Sequence, residues 1–281
     1  MTLLQRYELD PSPLIKKSIA GVIGSLGKML IPNGDWNQPF EFVMNSYTTE
    51  NVVGQELSLL LLSYLIEYLS KDDIKEHFDD ISKILSISLK SDHSSVVDFS
   101  IKCIKNCASA TSNVKVLKSI QKMIPDILDT LSEENEERIQ TVLDCLTSLV
   151  EYKGLLTPHI SRIIEGALKV AENIDLHLNT RQRAILFFEF VPVKHSKMFK
   201  KKKQLLDTII STLMKISCEP LDDYDQDEQS PSRYALYSMK SFSVYMHKPI
   251  IFPVLIKNIR ACIESDLDNQ RRAGIELLGF I

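Results

Sequence analysis

With 281 residues, 44% of them hydrophobic and 25% charged, the chain has the make-up of one large folded domain or two, not of a disordered tail. Nine glycines are few for a β-rich or phosphate-cradling protein, and a net charge of −4 gives no general pull toward nucleic acid. Five cysteines (Cys103, Cys107, Cys145, Cys218 and Cys262), an odd count without framework spacing, read as reduced thiols of a soluble intracellular protein. MTLLQRYELDPSP lacks the apolar core of a signal peptide, and the longest apolar run, LSLLLLSYLIEYL, is cut by Ser and Glu and too short to span a bilayer. Neither a membrane nor direct nucleic-acid binding is expected.

In chain order, LLQRYEL reads as the tail of a helix. Ser12-Pro13 then caps a helix through LIKKSIAGVIGSLGKML. Helices over Trp36–Tyr47 and Val53–Ser70 form a pair broken by TTEN, and Asp73–Lys90 and Ser94–Ala110 form the next, broken by SDHS. Val114–Leu131 and Glu133–Lys153 follow, separated by a serine suited to an N-cap. Leu155–Asn173 pairs with Asn179–Val193 across IDLHL. Lys200–Ser217 pairs with Ser232–His247 across an acidic loop, 219–231. Pro249–Glu264 and Asp268–Ile281 complete about six pairs, spanning approximately 36–70, 73–110, 114–153, 155–193, 200–247 and 249–281.

Second helices therefore start about every 40 to 50 residues, the interval of HEAT repeats. An Asp or Asn in the turn, then a basic residue early in the second helix, recurs in LNTRQRAI and LDNQRRAGI. No such unit buries its apolar stripe alone, so neighbours must stack. The expected fold is all-α: one α-solenoid segment of HEAT-type repeats over 1–281, wound as a right-handed superhelix. GIELLGFI is apolar to its last residue with no polar closing face, so the segment is expected to be a truncated part of a longer protein.

Catalytic motifs are missing. Gly21, Gly24 and Gly27 fit neither GxxxxGK[ST] nor GxGxxG and read instead as close packing on a helix face. Cys103 and Cys107 share a helix face without further ligands nearby, and the six histidines form no HExxH. No enzyme activity, metal or cofactor is expected.

Two features read as protein-binding. Gln140, Asp144 and Glu151 fall on one polar stripe of their helix; Glu56 and Glu67 do the same on theirs, and Glu189 is a similar candidate. Stacked second helices would join these into one acidic concave surface, although any surface helix has a solvated charged face. The loop is more specific: Asp222, Asp223, Asp225, Asp227 and Glu228 crowd around Tyr224. Five carboxylates so close repel one another, so the segment reads as an electrostatic lure for a basic partner, with Tyr224 able to pack on its cation. The structural alternative is an ion pair with Lys200–Lys203. Those lysines belong to KHSKMFKKKK, which leaves the rest of the chain at −10; they read as a solvated helix start, or else as a nuclear-localisation patch.

LLTPHISRIIEGALKVAENIDL, LNTRQRAILFFEF and KKKKQLLDTIISTLMKISCEPLDDYDQDEQSPSRYAL resemble successive repeats of the importin-β (karyopherin-β) family of nuclear transport receptors, nearest its importin-4 type, with the importin-5 type second. NQRRAGIELLGFI fits the helix after the next turn. The most specific element is a helix ending in CEP, an acidic insertion, then SPSR. The resemblance covers Ile139–Ile281 well and 1–138 at the level of repeat pattern. It implies a receptor segment that binds basic cargo (ribosomal proteins, histones), is regulated by Ran-GTP, and passes nuclear pores on nucleoporin Phe-Gly repeats. It also implies residence in cytoplasm, nucleus and nuclear envelope. In the family an acidic loop touches Ran-GTP and basic cargo, a role that would fall here on Asp222, Asp223, Asp225, Asp227 and Glu228. The rival reading is a non-transport HEAT-repeat scaffold subunit without Ran dependence.

Overall fold

Apolar residues three and four apart give each segment a helix with one stripe to bury. The computed structural model describes residues 2–31, 38–47, 52–69, 71–132, 135–152, 154–220 and 230–281, and among them every regular element is helical. The acidic segment Asp222–Glu228 lies outside the described residues. The chain divides into two compact units, Met1–Asp129 and Thr130–Ile281.

The first unit holds α1 (Leu3–Leu9), α2 (Pro13–Leu30), α3 (Gln38–Ser46), α4 (Val52–Leu65), α5 (Lys71–Ser88), α6 (Ser94–Ala110) and α7 (Val114–Asp129). The helices pack as pairs, α1 on α2, α3 on α4 and α5 on α6. The second members α2, α4 and α6 stack in order, and α7 covers α5 and α6. α4 is apolar nearly all round because it is covered on several sides: Leu59, Leu61, Leu62 and Leu65 are fully buried. The opening LLQRYEL is a capped helix start and not a helix tail: the Thr2 hydroxyl accepts from the Gln5 N–H, and the Gln5 side chain accepts from the Thr2 N–H at 2.9 Å. Its Tyr7 is buried and donates to the Leu57 carbonyl at 2.5 Å, which ties α1 to α4.

The second unit holds α8 (Glu136–Leu149), α9 (Ile160–Glu172), α10 (Leu178–His195), α11 (Lys203–Ser217), α12 (Pro231–Tyr245), α13 (Lys248–Ile263) and α14 (Asp268–Leu278). α9 pairs with α10, α11 with α12 and α13 with α14, while α8, α10, α12 and α14 stack in sequence. This is the all-α, HEAT-type solenoid packing expected.

Three of the described helix starts differ from the sequence reading by three residues or more. Asn135, not the earlier serine, caps α8 by accepting from the Arg138 N–H at 3.2 Å. α9 begins at Ile160 instead of Leu155, because Pro158 disfavours helical backbone at Thr157. Leu155 and Leu156 are still buried, so the apolar signal runs through a turn. α11 begins at Lys203, after a 3-10 turn over Ser196–Lys200.

The glycines of α2 are packing residues at two positions of three. A Cβ on Gly24 would stand 3.0 Å from the Tyr64 Cβ, and one on Gly27 would stand 3.1 Å from Ile31 and 3.3 Å from Leu65. At Gly21 nothing lies within 4 Å. Gly24→Val is therefore expected to lower stability by about 1–3 kcal/mol through overpacking. Gly21→Ala should raise it by about 0.5–1 kcal/mol, since only helix propensity changes there. Urea unfolding of the two variants checks the contrast; equal effects would remove the packing role of Gly24.

Candidate protein-binding site

The stacked second helices are joined by side-chain bonds of regular offset. In the first unit the Ser95 hydroxyl of α6 donates to the Glu56 carboxylate of α4, 39 residues earlier. Asn106 donates to the Ser63 carbonyl at 2.8 Å, 43 residues earlier, and the Cys103 thiol to the Leu59 carbonyl at 3.4 Å, 44 residues earlier. Between α8 and α10, Gln140 donates to Thr180 (2.7 Å, offset 40), Thr180 to Glu136 (2.7 Å, offset 44), and Arg183 pairs with Asp144 (offset 39). Between α12 and α14, Arg233 pairs with Glu276 at 2.9 Å (offset 43). Among these joins α10 to α12 departs. Ser238 donates to the Ile185 carbonyl at 3.1 Å and Ser241 to the Glu189 carbonyl at 2.6 Å, with offsets of 53 and 52. The repeat carrying the acidic segment is thus longer by about ten residues. The acidic stretch is an insertion into a repeat of ordinary length.

The polar stripe read from the sequence is found largely at work in this stacking. Glu56, Gln140 and Asp144 each bond to the next second helix as above, and Glu151, just beyond α8, faces Lys194 at 3.7 Å. The Asp144 and Glu151 pairs are half-exposed, where an ion pair contributes about 0–1 kcal/mol. Glu136, which the sequence reading passed over, caps the join. The Thr180 hydroxyl, and after it the His177 N–H, hold its carboxyl below the usual carboxylate range. Glu67, exposed, and Glu189, half-exposed, have no ion-pair partner among the described residues.

Both ends of the acidic insertion are described, and three second helices hold them. Arg181 of α10 is 4% exposed; its Nε donates to the Ala171 carbonyl at the end of α9 (2.9 Å) and its Nη2 to the Glu219 carboxylate (2.5 Å). Arg272 of α14 reaches back with Nη2 to the Ser217 carbonyl (3.1 Å), the Glu219 carbonyl (3.3 Å) and the Ser232 hydroxyl (3.4 Å). Ser232 itself donates to the Ser217 carbonyl at 2.8 Å, which closes the two ends on each other. On the far side Ser230 caps α12 by accepting from the Arg233 N–H at 3.3 Å. The sequence reading missed Arg181 and Arg272 as functional residues. The signal was in the recurring basic residue early in LNTRQRAI and LDNQRRAGI, whose purpose a single sequence does not reveal.

No described helix is long and apolar enough to cross a membrane, and no three His, Cys, Asp or Glu among the described residues stand together as metal ligands. A protein-family profile described as IPO5-like, TPR repeats matches residues 11–166, more than half the chain. Human Importin-4 is 23% identical over 247 residues, covering 81% of this chain and 23% of that protein. A probable importin-5 homolog of Dictyostelium discoideum is 22% identical over 234 residues, covering 79% and 22%. The chain thus spans about a quarter of the length of these curated relatives. Among solved structures, the karyopherin Kap121p bound to the SUMO protease Ulp1p superposes with a TM-score of 0.79 at 15% identity, over 99% of this chain and 28% of that one. Kap121p bound to RanGTP, with a TM-score of 0.78 at 15% identity, and Kap121p bound to Nup53p, with 0.77 at 16%, cover the same shares of each chain. Likeness at that identity speaks for the fold alone, whereas the family profile carries membership: the chain belongs to the IPO5-like family of importin-β receptors.

Proposed function

We propose that residues 1–281 are one HEAT-repeat segment of a nuclear import receptor that binds basic cargo, such as ribosomal proteins and histones, and releases it to Ran-GTP. The observation that carries this reading is membership of the IPO5-like family, with importin-4 relatives along four-fifths of the chain. Support for the partners comes from Kap121p, of like fold, which has been solved with RanGTP and with Nup53p. The receptor acts by binding and not by catalysis, and moves between cytoplasm and nucleus through nuclear pores on Phe-Gly repeats. The primary cargo site is the insertion: Asp222, Asp223, Tyr224, Asp225, Asp227 and Glu228, held at its root by Arg181 and Arg272. Glu67 and Glu189 extend the acidic surface, while Glu56, Gln140, Asp144 and Glu151 divide their role between stacking and display.

Replacing Asp222, Asp223, Asp225, Asp227 and Glu228 with Ser or Asn in the full-length receptor tests the site. Affinity for a lysine-rich peptide should fall, mainly through a slower on-rate, and its salt dependence should flatten, since exposed charges act over about 10 Å at 0.1 M salt. Competition between Ran-GTP and cargo should weaken, while each surface change moves stability by no more than about 0.5 kcal/mol. Unchanged cargo binding with lost stability would make the insertion a structural partner of Lys200–Lys203. Failure of the unaltered receptor to retain Ran locked to GTP in a pull-down would favour the scaffold reading.

A further inference from the structure

Away from the second helices, a cleft of about 480 Å³ opens where α11 meets α13, lined among others by Met214, Lys215, Cys218, Asn258, Cys262 and Gln270. Cys218 is the C-cap of α11 and Cys262 lies in the last turn of α13. Their Sγ atoms stand 3.8 Å apart, 44 residues from one another in the chain. Cys218 is partly exposed in the cleft and Cys262 sits just beneath at 8% exposure, whereas Cys103, Cys107 and Cys145 are fully buried. Burial, and after it the neighbouring Cys218, pushes the Cys262 thiol up to about 12, so at neutral pH it stays protonated and Cys218 is the thiol that solutes meet first. Two sulfurs without a third ligand among the described residues do not make a closed metal site, which takes four. They do make a dithiol.

We propose that Cys218 and Cys262 form a reversible disulfide, a covalent modification site oxidised by small disulfides of the glutathione class. The Cys218 thiolate attacks one sulfur of the small disulfide, forming a mixed disulfide on Cys218 and releasing one small thiolate. Cys262 then loses its proton and attacks the Cys218 Sγ, closing the protein disulfide and releasing the second small thiolate. Two electrons pass from the two cysteines to the small disulfide, and the two thiol protons end on the two released thiols. The sulfurs must close by about 1.8 Å to reach bonding distance. The bond staples two successive first helices, and Cys218 stands three residues before Leu221 and the acidic insertion, so oxidation also pins one root of that segment.

The test uses the reduced protein, freed of reductant and incubated with excess oxidised glutathione at neutral pH, with remaining thiols alkylated before mass analysis. The expected product carries two fewer alkyl groups than the reduced control, contains a peptide joining Cys218 to Cys262, reverts with dithiothreitol, and unfolds on the order of 5 °C higher. Cys262→Ser should stop at a glutathione adduct on Cys218, and Cys218→Ser should leave Cys262 free. A stable adduct on Cys218 in the unaltered protein, both thiols still alkylated after oxidation, or a cross-link between other cysteines would each overturn the proposal. None of these outcomes depends on the transport reading.

Discussion

Phe199→Ala is expected to lower the stability of the unit Thr130–Ile281 by about 3–5 kcal/mol, the usual cost of deleting a buried ring and leaving its cavity. Phe199 sits in the middle of KHSKMFKKKK, yet it is fully buried, its ring centroid 5.7 Å from that of Phe242, which is fully buried too. The 3-10 turn that carries it packs on both α10 and α11, so the ring is the pin that lets six lysines cross between repeats. In urea the unfolding midpoint should fall with little change in slope, and Tm should drop on the order of 10 °C. Lys200→Ala and Lys201→Ala, both exposed, should stay within about 0.5 kcal/mol. If all three variants shift alike, the lysines matter as charges and the ring is not the anchor.

Arg181→Ala should cost about 2–3 kcal/mol. The guanidinium is nearly fully buried and satisfies two acceptors from different repeats, the Ala171 carbonyl and the Glu219 carboxylate. Breaking a wholly buried ion pair costs about 3–5 kcal/mol. Glu219 is 30% exposed, so water takes over part of its solvation and the expected cost falls below that range. Arg181→Lys should land between, because one ammonium cannot reach both acceptors as a planar fork does. Arg183→Ala makes a useful control, since its pair with Asp144 is half-exposed and should be worth no more than about 1 kcal/mol. Denaturant unfolding ranks the three; a cost for Arg181→Ala no greater than for Arg183→Ala would remove the clamp at the root of the insertion.

The helices were legible because their stripes are strong and their caps conventional: Ser12 before Pro13 and Ser230 before Pro231 both sit where a helix start needs them. Legibility failed where burial and polarity disagree locally. Phe199 hides among lysines, and Leu155 and Leu156 are buried in a turn that helical periodicity alone would extend into α9. For the candidate site, the residues of the stripe were legible as a face but not as a set of bonds. Whether Asp144 meets solvent or Arg183 depends on a helix 39 residues away, and no single-helix pattern encodes that register. Arg181 and Arg272 were visible as a recurring motif, but what they hold, the carbonyls and carboxylate at the ends of the insertion, emerges only from the stacking.

The regular offset of the bonds between second helices also bears on how the chain acquires its fold. The side-chain hydrogen bonds described above that tie the second helices to neighbouring repeats span at most 55 residues, and most span about 40. Loop closure over such distances is a modest and repeated entropic cost, not one large one. Each repeat can dock on the one before it, and bonds that later residues make back to it, such as those of Arg272, close last. Assembly within each unit can then proceed as successive docking of one pair onto the last, and a lesion such as Phe199→Ala should slow the docking of α11 and α12 onto α10.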